Sequence, residues 1–72
     1  MDTKQALTLI YRHTHKDYRG KLAGRKTILM GRPGVGTCLV FLEDLTAAEI
    51  ASLLPGAERR EAERLAKKAL KA

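Results

Sequence analysis

The chain has 72 residues, a net charge of +6, 44% hydrophobic and 31% charged residues, and one cysteine. That is a globular balance with room for one small domain over residues 1–72. It excludes a multidomain enzyme, a disulfide-stapled scaffold and, because the longest apolar run is Cys38–Leu42, a membrane span.

The first expected element is a helix. Asp2 or Thr3 can cap it, and the Asp2-x-x-Gln5 spacing matches a capping box. Ala6, Leu7, Ile10 and Tyr11 fall on one helical stripe, although Thr8–Tyr11 also has the composition of a strand start. The polar run from Arg12 to Asp17 ends the element. Tyr18–Leu22 reads as a short strand, Ala23-Gly24-Arg25 as a turn, and Thr27–Met30 as a second strand. Gly31–Gly36 reads as a loop, and Thr37–Leu42 is the strongest strand signal in the chain.

These strands do not alternate between apolar and polar residues. Leu39 and Phe41 point one way, Cys38, Val40 and Leu42 the other, and both sets are apolar. Either helices cover both faces of the sheet or one face meets a second copy of the chain.

Thr46 is the expected N-cap of the next helix, with Glu49 completing a capping box and Leu45 positioned to staple onto Ile50. Pro55-Gly56 should stop that helix near Leu54. A last helix is expected from about residue 57 to Leu70. Its acids come first and its lysines last, with Arg59–Glu63 and Glu63–Lys67 as i,i+4 pairs. Its apolar stripe of Ala62, Leu65, Ala66, Ala69 and Leu70 is thin, so it should dock weakly. The expected fold class is therefore α+β: an N-terminal helix, a small antiparallel β-meander of two or three strands, then two C-terminal helices packed on the sheet.

The charge is unevenly placed. Residues 11–32 carry Arg12, Lys16, Arg19, Lys21, Arg25, Lys26 and Arg32 against Asp17 alone, whereas residues 33–57 hold only Glu43, Asp44 and Glu49. A clustered positive segment is the electrostatic footprint of a nucleic-acid binder. Tyr11 and Tyr18 are interleaved with these cations, although Tyr18 is expected to pack on the sheet. The alternative is that the charge is incidental and that an apolar sheet face binds a protein partner or forms a homodimer.

Gly31-Arg32-Pro33-Gly34-Val35-Gly36-Thr37 resembles the phosphate-binding loop of P-loop NTPases in the separation of Gly31 and Gly36. The lysine of that motif is missing, since Thr37 follows Gly36 directly. The next residues favour a strand over the helix that would hold the phosphate. Glu43 and Asp44 come too soon for a crossover helix. A plain hairpin loop is the expectation.

His13 and His15 could chelate a metal from a strand, but no second cluster accompanies them, and two surface histidines are expected instead. Cys38, within a continuous apolar run, is expected to be a small core residue. The helices flanking Pro55-Gly56 are similar to a helix-turn-helix, but Arg59-Arg60-Glu61 occupies the stretch where a recognition helix needs an inward apolar residue.

The expectation is thus a non-catalytic binding module without cofactor, metal, membrane or small-molecule substrate. The start MDTKQALTLIYRH lacks the pattern of a signal peptide, so a reducing cytoplasm is the expected compartment.

Overall fold

Asp2 initiates the first helix as its side chain predicts. Its carboxylate accepts the Gln5 N–H at 2.8 Å, and Gln5 Oε1 accepts the Asp2 N–H at 3.1 Å. The computed structural model describes residues 2–71, in the order α1 (Thr3–His13), a 3-10 turn (Lys16–Tyr18), β1 (Arg19–Leu22), β2 (Arg25–Arg32), β3 (Gly36–Phe41), a second 3-10 turn (Leu42–Asp44) and α2 (Ala47–Lys71). Thr8–Tyr11 is helical, so the strand alternative for that stretch falls.

The three strands form one antiparallel sheet in the order β1-β2-β3. Two turns set its register. Leu22 pairs with Arg25 across Ala23 and Gly24, which have φ of 53° and 77°. Positive φ at both central residues is the type I′ geometry, whose twist matches that of the flanking strands. In the second turn, Pro33 precedes Gly34 at φ 77°, and the Val35 N–H donates to the Arg32 carbonyl at 3.1 Å, the type II pattern. Gly31, Arg32 and Gly36, expected in the loop, are strand residues, and β3 ends at Phe41. No helix begins at Thr37, so the glycine-rich segment is a hairpin.

One α+β layer pair results, with a correction to the expected helix count. A single 25-residue helix replaces the two C-terminal ones, and Pro55 lies inside it. Proline removes one backbone hydrogen bond and crowds the preceding turn, at a cost of about 3 kcal/mol. The helix survives because Ile50, Leu53, Leu54 and Ala57 continue one stripe across the proline and pack in the same core. A stop at Leu54 would leave Ala57, which is 3% exposed, without its place in that core. The helix-turn-helix likeness fails for the same reason, since no turn separates two helices.

The core is Ile10, Ile28, Val40, Leu42, Leu45 and Ala57, ringed by Leu7, Leu9, Met30 and other half-buried residues. Each buried Ile, Val or Leu contributes about 1.5–3 kcal/mol. Thr46 caps α2 with the expected reciprocal bonds: Glu49 N–H to Thr46 Oγ1 at 3.1 Å, and Thr46 N–H to Glu49 Oε1 at 2.9 Å. Cys38 is half-buried at the core margin, its thiol donating to the Met30 carbonyl at 3.5 Å.

Both helices lie on the face of the sheet that carries Ile28 and Val40. The opposite face is open: Leu29 and Leu39 are directly paired there and are 37% and 52% exposed. The far half of α2 is also solvated, with residues 62–71 all exposed.

Candidate nucleic-acid interface

The seven cations of residues 12–32 divide into two groups. Arg12, Arg25 and Arg32 are held by carboxylates. Arg12 reaches Glu61 at 2.8 Å. Arg25 contacts Glu43 and lies 3.5 Å from Asp44, with its guanidinium carbon 3.7 Å from the centre of the Phe41 ring. Arg32 donates from Nε and Nη2 to the two oxygens of Glu49 at 2.8 and 3.0 Å. That bidentate bond and the Thr46 N–H together lower the Glu49 pKa to about 2. These three positive charges are each matched by a neighbouring negative one.

Lys16, Arg19, Lys21 and Lys26 have no carboxylate within 4.0 Å among the described residues. They gather on the β1–β2 hairpin and the 3-10 turn that leads into it. Register explains their closeness, because Lys21 is the direct cross-strand partner of Lys26, and Arg19 is the partner of Ile28. Period-two alternation therefore puts Arg19, Lys21 and Lys26 on the helix-side face of the hairpin. Like charges placed directly opposite one another in a sheet are destabilising.

Tyr11 organises this cluster. Its hydroxyl donates to the Gly20 carbonyl at 2.9 Å, which ties α1 to β1. The Arg19 guanidinium carbon lies 5.6 Å, and Lys26 Nζ 5.2 Å, from the centre of its ring, within cation–π range. Arg19 also donates to the Tyr11 and Arg12 carbonyls, at 3.0 Å each, closing the C-terminus of α1 where a cation is favoured. Lys4, about two turns before Tyr11 on α1, lines the same surface cleft as Lys26, and Glu43 lines it too. The sequence placed Tyr11 among the cations but carried no signal for its anchoring role or for Lys4.

Two further expectations change. His13 is not a surface residue: its side chain is 11% exposed, and Nε2 lies 2.8 Å from Glu61 Oε1. Glu61 thus collects Arg12, His13 and Arg64, and these partners, the Arg64 hydrogen bonds first, lower its pKa to about 2. Among the described residues, the ion pair formed within the second half of α2 is Glu61–Arg64, and neither Arg59–Glu63 nor Glu63–Lys67 closes to 4.0 Å. Tyr18 does not pack on the sheet but is 54% exposed, its ring edge-on to His15 at 6.1 Å.

Comparison with family models, with curated proteins and with solved structures finds no match. No helix among the described residues is long and apolar enough to cross a membrane.

Proposed function

We propose that this chain is a small, non-catalytic binding module of the reducing cytoplasm that contacts nucleic acid electrostatically through the β1–β2 hairpin. The contacting set is Lys16, Arg19, Lys21 and Lys26. The observation that carries the reading is the Lys21–Lys26 pair, directly opposed across the strands with no carboxylate within 4.0 Å of either ammonium group among the described residues. Such a pair costs stability in the free protein, and phosphates placed one against each ammonium group relieve that cost. Arg12, Arg25 and Arg32, expected from sequence to share the contact, serve in this reading to hold the fold, because each is already neutralised within the protein.

Fluorescence anisotropy with labelled duplex and labelled single strand tests the proposal. Four phosphate contacts predict a log–log salt slope of about −3.6 on duplex and about −2.8 on single strand. Lys21→Gln with Lys26→Gln should halve the slope. No binding to either probe at low salt would end the reading.

A second reading is favoured by the paired Leu29 and Leu39, which are 37% and 52% exposed on the uncovered sheet face. There the open face docks a protein partner or a second copy, and the hairpin charge is incidental. It predicts a dimer in sedimentation equilibrium that Leu39→Lys dissolves. A monomer across the micromolar range removes the self-association form.

A further inference from the structure

A concave feature lies outside the hairpin contact set. Where the C-terminus of α1 meets the middle of α2, a cleft of about 420 Å³ opens beside the 3-10 turn. Its apolar lining is Ile10 and Ala57, each 3% exposed, with Leu53 and, from β2 at the edge of the uncovered sheet face, Leu29. Its rim is polar and cationic, formed by His13, His15, Tyr18 and Arg60. No carboxylate lines it. The nearest acids are committed elsewhere: Glu61 to Arg12, His13 and Arg64, and Asp17 to His15 Nδ1 at 3.4 Å. Arg60 itself has no carboxylate within 4.0 Å among the described residues.

This combination suits a flat, partly apolar body carrying a negative group. The volume falls in the range that receives small organic ligands, roughly 300–1,000 Å³. Tyr18 supplies an exposed aromatic ring at the mouth. The chain on either side of it supplies Lys16 and Arg19, two of the cations assigned above to phosphates.

We propose that the cleft receives one unpaired base of a single strand, with Tyr18 as its stacking surface and Arg60 on the adjoining phosphate. This inference rests on the nucleic-acid reading and makes it specific. A base held in a duplex is stacked on its neighbours and cannot enter, so the module prefers single strands. Aromatic stacking at one base corresponds to about 5- to 150-fold in affinity.

The test uses the full chain, a labelled twelve-nucleotide oligothymidylate and a labelled duplex of equal length, at the same low salt. The wild type should bind the single strand at least about fivefold more tightly than the duplex. Tyr18→Leu should abolish that preference while leaving duplex affinity unchanged, and Arg60→Gln should weaken the single strand selectively. Circular dichroism of each variant confirms its fold. Equal binding of both probes, with Tyr18→Leu inert, overturns the cleft assignment and leaves the hairpin reading intact. No binding of either probe overturns both. Thymidine 5′-monophosphate moving the Tyr18 ring resonances, with no preference between strands, marks a free-nucleotide site and also overturns the strand proposal.

Discussion

Replacing Lys21 by glutamate should move stability and binding in opposite directions. In the wild type Lys21 directly faces Lys26 across β1 and β2, so two like charges oppose each other. Lys21→Glu turns that pair into an attractive one. Opposite-charge pairs at facing strand positions are worth about 0.2–1 kcal/mol, and facing like charges cost a similar amount. Relieving the repulsion and gaining the attraction together give about 0.4–2 kcal/mol, which raises Tm by about 2–16 °C in a domain of this length. The increment should be largest at low ionic strength and should shrink toward 1 M salt, where the Debye length is about 3 Å. The same substitution removes a phosphate contact, so the duplex salt slope should become shallower by about 0.9, and affinity at low salt should fall. Thermal melting by far-UV circular dichroism at two salt concentrations reads the first effect, and anisotropy reads the second. A lower Tm at low salt would show that the two ammonium groups do not repel each other in the folded protein. An unchanged salt slope would show that Lys21 does not face phosphate.

Three further outcomes follow from the local geometry. Ala23 holds φ 53°, a region that costs a non-glycine residue about 1–2 kcal/mol. Ala23→Asn, which restores the favoured Asn-Gly type I′ turn, should therefore raise the urea midpoint, and an unchanged or lower midpoint would contradict the turn assignment. Glu61 has its pKa lowered from 4.5 to about 2, so its stabilising contribution is complete above pH 4.5 and is lost as pH falls toward 2, where the folded form takes up the proton. Unfolding curves from pH 6 to pH 2 should therefore fall less steeply for Glu61→Gln than for wild type; parallel profiles would dissociate the acid response from Glu61. Pro55 sits within continuous helix, and Pro55→Ala should stabilise the protein by up to about 3 kcal/mol, less the entropy that proline removes from the unfolded chain. A loss of helical signal in that variant would argue that the proline ends a helix after all.

The elements whose determinants are local were legible in the sequence. The Asp2–Gln5 and Thr46–Glu49 boxes each join residues three positions apart, and both form. The glycine-punctuated turns fix the two hairpins, and the β-rich run after Gly36 becomes a strand. What escaped depends on residues far apart in the chain. Pro55 looks like a stop until Ala57 is seen buried against the core, because tertiary packing outweighs the local penalty. Arg32 and Glu49 are 17 residues apart, and His13 and Glu61 are 48 apart. Charge clustering along the chain therefore could not separate neutralised cations from free ones. Tyr18 follows the same logic, since its exposure depends on the 3-10 turn lifting it out of β1. The open second face of the sheet was foreshadowed by strands apolar on both sides, but the sequence left open what covers it.

The most direct test of the hairpin as the contact surface is an amide chemical-shift titration of the full chain with a short duplex at low salt. Shifts should concentrate at residues 16–26, with Arg32 and Glu49 unmoved because their ion pair stays closed. Shifts centred on Leu29 and Leu39, or none at all, would contradict the hairpin contact.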